Sequence, residues 1–224
     1  MNDREEICRK AQSFFNDLWM RGDPWELETS NWEHERYARL LAMLDQARYG
    51  RVLEIGCGAG TFTRLLAGLA DKVLALDVSS EAIAKAQAAQ SDLKQVEFRA
   101  GNIMDYNLRE EEPWDLIVIS ETIYFLGWLY SFFDVSWLAS EIFEATRPGG
   151  QMLLANTQFE TGEPLLRTSI IRTYRDLFLN VGYELNAEKI LAGEKHGVQL
   201  EVLMSLFRKS EGAGKLPTSG VQSY

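Results

Sequence analysis

Hydrophobic and polar residues alternate along this chain with two different spacings, and each spacing predicts one kind of element. Near the start, apolar residues recur three and four positions apart, which predicts amphipathic helices over residues 3–21 and 31–47. The Gly-Asp-Pro sequence at 22–24 is expected to separate them. From residue 52 onward, short apolar runs appear, and these are typical of buried strands.

The middle of the chain predicts a regular alternation of strands and helices. Such alternation produces right-handed crossovers and a parallel sheet with helices on both faces. The predicted strands cover residues 52–55, 72–77, 95–100, 114–120 and 151–155, and the predicted helices cover 62–69, 80–90 and 134–145.

The last third follows a different pattern. A helix over 169–181 precedes two strand-like runs, 183–190 and 198–207, with no helix between them. Two successive strands joined by a Gly-Glu-Lys-His-Gly turn predict an antiparallel hairpin that closes the sheet. Residues 210–224 are polar, Gly-rich and aperiodic, and we expect a flexible tail there.

The predicted fold class is therefore α/β. We expect one Rossmann-like sheet of seven strands, mostly parallel, with an antiparallel last strand. A single domain is expected over residues 1–209, in which a helical cap, 1–48, covers the ligand edge of a core, 49–209.

A glycine-rich turn after the first strand is the strongest functional signal. Glycines 56, 58 and 60 follow the strand acid Glu54, and they allow the backbone to turn sharply against a ligand. A dinucleotide fingerprint needs G-x-G-x-x-G, but here the third glycine comes one residue early. The second strand ends in Asp77, which is placed to bind a ribose diol.

Ligands of open α/β sheets bind at the carboxyl ends of the strands. The residues expected around one crevice there are Glu54, Gly56, Cys57, Gly58, Gly60, Asp77, Val78, Asn102, Ile103, Ser120 and Glu121.

The predicted cap contributes an aromatic and guanidinium cluster of Trp25, Trp32, Arg36 and Tyr37. Two interpretations stay open. The cluster closes over a carboxylate or a sugar, or the tryptophans only pack the cap onto the core while Arg36 pairs with a neighbouring glutamate.

Composition limits the possible partners. The chain has 224 residues and a net charge of −10, and 46% of it is hydrophobic. We expect no nucleic-acid or membrane partner, because either would favour a basic face, and a small or cationic substrate fits better. Two cysteines, no apolar signal region and no metal-ligand cluster favour a cytoplasmic protein without a metal. The oligomeric state is left open.

The E-x-G-x-G-x-G sequence at 54–60, Asp77 and the predicted antiparallel ending resemble the Rossmann-like, class I S-adenosylmethionine-dependent methyltransferases. The resemblance implies that the glycine turn passes under the methionine part of the cofactor and that Asp77 binds its ribose. Asn102 stands where that family usually has an acid that accepts the adenine amino group. An Asn carbonyl oxygen can accept the same bond.

A narrower resemblance is to the NodS-like methyltransferases. It rests on the short sequences at 23–25, 29–33, 36–37 and 120–126. This family includes an N-methyltransferase that acts on the free amine of a glucosamine-containing oligosaccharide. By that similarity, Trp25 and Arg36 would help to hold the cofactor, and Glu121 and Tyr124 would face the acceptor.

The expected chemistry is the methylation of an amine, which must be neutral to attack. Glu121 is positioned to take its proton and Tyr124 to orient it. Contacts with the substrate are expected from Trp32, Trp128 and Tyr130.

Three alternatives remain. The first is an O-methyltransferase with His34 as its base, since a hydroxyl needs a stronger base than an amine does. The second is a nicotinamide-dependent oxidoreductase, which the glycine spacing and the antiparallel ending disfavour. The third is a protein that binds the cofactor without catalysis.

Overall fold

The computed structural model describes residues 3–163 and 166–212. Its centre is a seven-stranded sheet with the strand order β3-β2-β1-β4-β5-β7-β6. The strands are β1 (Tyr49–Ile55), β2 (Ala70–Asp77), β3 (Val96–Ala100), β4 (Trp114–Ser120), β5 (Thr146–Glu160), β6 (Glu184–Lys195) and β7 (Val198–Arg208).

Helices cover both faces of this sheet. They are α1 (Asp3–Met20), α2 (Asn31–Leu41), α3 (Thr61–Ala67), α4 (Ser80–Ala89), α5 (Ile123–Leu129), α6 (Phe132–Ala145) and α7 (Thr168–Asn180), with short 3-10 helices at Ile103–Asp105 and Leu108–Glu110.

The predicted topology is confirmed. β1 pairs in parallel with β2 and β4, β2 with β3, and β4 with β5, whereas β7 runs antiparallel to both of its neighbours. The hairpin turn between β6 and β7 consists of His196 and Gly197, both with positive φ, as a two-residue type I′ turn requires.

The central strand β4 shows why the sheet is stable. Its residues 116–119 have no exposed surface, because the sheet is covered on both faces. On one face the strands pack against α5, α6 and α7, and on the other against α2 and α3. The predicted bounds of this strand agree with the structure, since a continuous apolar run leaves few alternatives.

Some boundaries differ from the prediction. The helix expected over 31–47 ends at Leu41, and beyond its end the carboxylate of Asp45 accepts hydrogen bonds from Gln151 and Arg208 on the sheet. β5 is much longer than expected, and α5 was not predicted at all. Both differences come from tertiary pairing and packing, which local periodicity does not show.

The cap helices lie against the core. Asn16 of α1 accepts a hydrogen bond from the Ser79 hydroxyl at 2.7 Å, beside the start of α4. Trp32 of α2 packs against Gly193 of β6, where a Cβ would lie 2.4 Å from its ring. The division into a cap, 1–48, and a core, 49–209, stays a prediction, and most of the expected tail, 210–224, lies outside the described residues.

The described residues contain neither a membrane-spanning helix nor a metal-binding cluster. None of the described helices combines the length and apolar character that a membrane span requires. Within the same residues, no three His, Cys, Asp or Glu side chains are grouped so that they could hold a metal ion.

Candidate active site

One cavity of about 800 Å³ opens over the carboxyl ends of the parallel strands. Its floor is the glycine turn and the ends of β2, β3 and β4. Its walls come from α1, the loop before α2, α2 itself, α5 and the β6–β7 hairpin. The cavity therefore lies where an open α/β sheet binds its ligand.

The glycine turn adopts the left-handed backbone that its composition predicts. The φ angles of Gly56, Gly58 and Gly60 are 81°, 53° and 82°. A Cβ at Gly58 would lie 2.8 Å from the ring of Trp19, so α1 sits directly on the turn. Gly60 itself does not line the cavity, because it caps the start of α3 and faces the side chain of Gln90.

Asp77 is anchored to this turn. Its Oδ2 accepts a hydrogen bond from the Gly58 N–H at 2.8 Å, and its Oδ1 accepts one from the Ser79 N–H at 2.8 Å. Burial raises the pKa of Asp77, and the two backbone hydrogen bonds oppose that rise. Each carboxylate oxygen keeps a lone pair for a further donor from the cavity.

Glu54 lies below the turn and is almost completely buried. Its Oε2 accepts a hydrogen bond from the Thr63 hydroxyl at 2.5 Å. Desolvation raises its pKa to about 8. At neutral pH this carboxyl is therefore mainly protonated, and it links β1 to α3.

A buried charge cluster forms the opposite end of the cavity. Arg36 of α2 donates two hydrogen bonds to Oε2 of Glu33, at 2.9 and 2.6 Å, and one to the Ser120 hydroxyl at 2.6 Å. Lys195 of β6 lies on the other side of Glu33, with Nζ 3.1 Å from Oε1. Arg36 is only 2% exposed, and this pairing compensates the burial of its charge.

Glu121 faces the same space from the end of β4. Its φ of 52° is unusual for a residue with a side chain, and the backbone is held there by a hydrogen bond to Ala155 O. Both carboxylate oxygens accept from the Thr157 N–H at 3.1 Å, and the Tyr124 hydroxyl donates to Oε2 at 3.2 Å.

The protein environment favours the protonated form of the Glu121 carboxyl group more than water does. Burial raises its pKa, while Arg36, whose Nη1 lies 3.7 Å from Oε1, opposes the rise. Burial also raises the pKa of Tyr124 well above its usual value, so its phenol stays neutral. Glu121 thus supplies a carboxyl group that can gain or lose a proton, and Tyr124 supplies a hydroxyl that always keeps its proton to donate.

An aromatic wall closes the side of the cavity between α1 and α5. Trp25 packs against Trp19 at 5.7 Å between ring centroids, and against Phe15 and Phe125 at 6.5 Å each. The carbonyl oxygen of Trp25 accepts a hydrogen bond from Lys195 at 2.6 Å. The loop before α2 is thereby tied to the hairpin across the cavity.

Most of the predicted site residues line this cavity. They are Trp25, Trp32, Arg36, Glu54, Gly56, Cys57, Gly58, Asp77, Val78, Asn102, Ile103, Ser120, Glu121, Tyr124 and Tyr130.

Besides Gly60, two other predicted site residues lie outside it. His34 is exposed on the outer side of α2, where its Nε2 contacts the carbonyl oxygen of Glu28 at 2.7 Å. It is two positions from Arg36, which points inward, and helix geometry directs the two side chains apart. Trp128 is 56% exposed and packs against Phe14.

Sequence reasoning missed three residues of the site, namely Glu33, Thr157 and Lys195. Glu33 was considered only as a partner that neutralises Arg36, and the contribution of Thr157 is a backbone N–H that no pattern marks. Lys195 lies in the predicted hairpin turn, where a solvated lysine is the ordinary expectation.

Solved structures share this fold. The crystal structure of N-methyltransferase NodS from Bradyrhizobium japonicum WM9 in complex with S-adenosyl-L-homocysteine matches with a TM-score of 0.73 and 23% identity, over 89% of this chain and 97% of that one. The fold is thus the Rossmann-like fold of class I methyltransferases.

The family follows from the sequence comparison. The family model "Nodulation protein S (NodS)" matches residues 8–161, more than half of the chain, and the chain belongs to this family. Nodulation protein S of Bradyrhizobium diazoefficiens is 34% identical over 105 residues, 46% of this chain and 49% of that protein. The Rhizobium tropici protein is 28% identical over 137 residues, 61% and 56% respectively. The matches thus span about half the length of these curated relatives.

Proposed function

We propose that this protein is an S-adenosylmethionine-dependent methyltransferase that methylates the nitrogen of a small-molecule amine, most specifically an amino sugar. The observation that carries the proposal is the placement of Glu121. Its carboxylate is buried at the end of β4, held by the Thr157 N–H and the Tyr124 hydroxyl, and it faces the same cavity as Asp77 and the glycine turn. A base and a nucleoside-type site therefore share one enclosed space.

The donor set fits S-adenosylmethionine. Asp77 offers acceptor oxygens for a ribose diol, the glycine turn allows close backbone approach, and Asn102 offers an amide. When bound, this cofactor supplies a methyl group attached to a positively charged sulfur. Trp25 and the rings around it would exclude water from that end of the cavity.

Glu121 and Tyr124 account for the chemistry at the acceptor. We infer that the ionised Glu121 accepts a proton from the acceptor nitrogen, which exposes the lone pair that attacks. The Tyr124 hydroxyl donates to Glu121 and so limits where that carboxylate can point. Once Glu121 has released this proton to solvent, its negative charge would balance the methylated ammonium.

Relatives support nitrogen as the acceptor atom. The structure with the same fold is described as an N-methyltransferase. Phosphoethanolamine N-methyltransferase 1 of Triticum aestivum is 27% identical over 163 residues, 69% of this chain and 32% of that protein. The hydroxyl alternative needs His34 as its base, yet His34 lies outside the cavity. The net charge of −10 and the two free cysteines suit a cytoplasmic enzyme with a small cationic substrate.

Calorimetry tests the cofactor. Titration with S-adenosylhomocysteine is expected to show binding that Asp77→Ala removes, and titration with NAD is expected to show none. Binding of NAD, or of neither compound, contradicts the proposal.

A matched acceptor pair tests the reaction. A glucosamine oligosaccharide with one free amine is expected to be methylated, whereas its fully N-acetylated counterpart is not, because acetylation removes the nucleophilic lone pair and keeps every hydroxyl. Equal methylation of both would show transfer to oxygen.

A further inference from the structure

The side chain of Asn102 is held at both ends. Its Oδ1 accepts a hydrogen bond from the Met104 N–H at 3.1 Å, which caps the short 3-10 helix after β3. Its Nδ2 donates to the hydroxyl of Tyr130 at 2.5 Å. An amide held in this way has one orientation, with a carbonyl oxygen and an NH2 group at known places.

Tyr130 is well placed for this contact. It follows directly after α5, it is 7% exposed, and both it and Asn102 line the cavity. Its hydroxyl acts as the acceptor toward the amide NH2, a role that a carboxylate at position 102 would not need. The contact of Tyr130 with the substrate stays a prediction from the sequence, and the structure adds the contact of its hydroxyl with Asn102.

The position of Asn102 and Tyr130 relative to Asp77 suggests which part of a ligand these two residues recognise. Asp77 ends β2, and Asn102 follows β3, the neighbouring strand at the edge of the sheet. A nucleoside whose diol binds at Asp77 would direct its base toward Asn102. This step rests on the proposed function, because it takes the ligand to be S-adenosylmethionine.

We propose that Tyr130 is a positioning residue that fixes the Asn102 amide with its carbonyl oxygen toward the purine, so that the site selects a 6-aminopurine over a 6-oxopurine. The carbonyl oxygen has a second lone pair for the amino group of adenine. Against the oxygen of a 6-oxopurine it offers no donor, and two acceptors face each other. An acid at this position needs no such fixing, since both of its oxygens accept.

Loss of the Tyr130 hydroxyl is expected to change the selectivity between the two purines. The Asn102 NH2 group would then lack its acceptor in a partly buried environment, which is costly. Rotation of the amide would turn the NH2 group toward the purine, where it suits a 6-oxo group, and would give up the hydrogen bond from the Met104 N–H. The selectivity between the two bases should therefore fall, and not only the overall affinity.

Calorimetric titration with S-adenosylhomocysteine and S-inosylhomocysteine tests this directly, because the two ligands differ at purine position 6. The wild-type protein is expected to prefer the adenosyl compound. Tyr130→Phe keeps the ring and is expected to reduce the ratio of the two affinities roughly tenfold, from weaker binding of the adenosyl compound and tighter binding of the inosyl one.

Asn102→Asp provides the matched background. It keeps an oxygen that caps the 3-10 helix and an acceptor for the adenine amino group, so the adenosyl preference should persist. In that background, Tyr130→Phe is expected to leave the ratio within about twofold, since a carboxylate has no NH2 group to anchor. Melting curves of all four proteins check that they remain folded.

The possible outcomes separate clearly. An unchanged ratio in Tyr130→Phe, with both ligands weakened equally, overturns the inference and assigns Tyr130 to packing alone. Loss of the adenosyl preference in Asn102→Asp also overturns it, independently of whether Tyr130→Phe folds. Wild-type protein that binds neither ligand contradicts the proposed function as well, whereas wild-type binding with no preference contradicts only the inference.

Discussion

The two ends of the cavity are built in different ways. At the nucleoside end, the glycine turn, Asp77 and Asn102 come from adjacent strand ends, and most of their hydrogen bonds go to backbone groups. At the acceptor end, Glu33, Arg36 and Lys195 join with Glu121 from segments far apart in sequence, and they interact through charged side chains.

This difference has energetic consequences. Backbone hydrogen bonds to one carboxylate tolerate a neutral substitute, because the strand ends stay in place. Removal of one member of a buried charge cluster leaves an opposite charge without compensation, which is strongly destabilising. We therefore expect variants at the nucleoside end to change ligand affinity, and variants at the acceptor end to change turnover, substrate affinity and stability together.

The largest effect is expected for Glu121→Gln, which keeps the shape and removes the base. The turnover number should fall by roughly 10²–10⁴-fold, while the affinity for S-adenosylhomocysteine changes little. Because burial raises the pKa of Glu121, the wild-type rate should rise with pH through that raised value as the carboxylate forms, and the variant should lose this rise. Steady-state kinetics over a pH series measures both.

A control for this variant is Glu35→Gln, which changes an exposed glutamate of α2 that pairs with Arg39. It should retain normal turnover. If Glu121→Gln kept more than a tenth of the wild-type rate, the role of Glu121 as a base would have to be abandoned.

Asp77→Asn tests the nucleoside end. One charged acceptor becomes a neutral amide, so the dissociation constant for S-adenosylhomocysteine should rise roughly 10- to 100-fold, as for the loss of hydrogen bonds to a charged group. Turnover at saturating cofactor should change far less than in Glu121→Gln. Equal losses of affinity for S-adenosylhomocysteine and of turnover would contradict the expected difference between the two ends of the cavity.

Lys195→Met tests the tie across the acceptor end. Glu33 and the Trp25 carbonyl oxygen lose their cation, so the KM for the amine should rise by about 3- to 30-fold, as for loss of a charge-assisted hydrogen bond. We also expect a melting temperature lower by about 2–8 °C. Lys189→Met, an exposed lysine on the same strand, is the control. Identical behaviour of the two variants would remove Lys195 from the site.

Glu54→Gln is expected to change the way in which the stability of the protein depends on pH. The pKa of Glu54 is raised to about 8 in the folded protein from an ordinary value of 4.5, so its contribution is complete below pH 4.5 and is lost as the pH rises through 8. The variant stays neutral throughout and should lose this pH dependence. Thermal melts between pH 5 and 9 compare the two, and parallel curves would show that Glu54 ionises normally.

The smallest effect is expected for His34→Ala. Its imidazole is exposed and contacts only the Glu28 carbonyl oxygen. Turnover should stay within about twofold, because an exposed group outside the cavity contributes little. A loss comparable to that of Glu121→Gln would instead favour the O-methyltransferase alternative.

Particular elements show how far sequence reasoning reached. The bounds of β4 were predicted to the residue, because an uninterrupted apolar run is buried on both faces of a parallel sheet. The helix α4 was also predicted, with either Ser79 or Ser80 as its cap, since a serine before an Ala-rich run is a local signal; the structure has the cap at Ser79. α5 was missed because it is held by tertiary packing: Trp128 and Phe125 contact Phe14 and Phe15 of α1. On its other side, Gly127 makes room for Tyr174 of α7.

The sequence alone determined the architecture and the nucleoside end, since strand periodicity, glycine spacing and a strand-end acid are local signals that need no partner. Only the tertiary structure decided the acceptor end. There, the register of the β6–β7 hairpin brings Lys195 to Glu33, and the left-handed backbone of Glu121 aims its carboxylate at Thr157. These contacts join residues 162 and 36 positions apart in the chain. They depend on the completed sheet, and no local pattern specifies them.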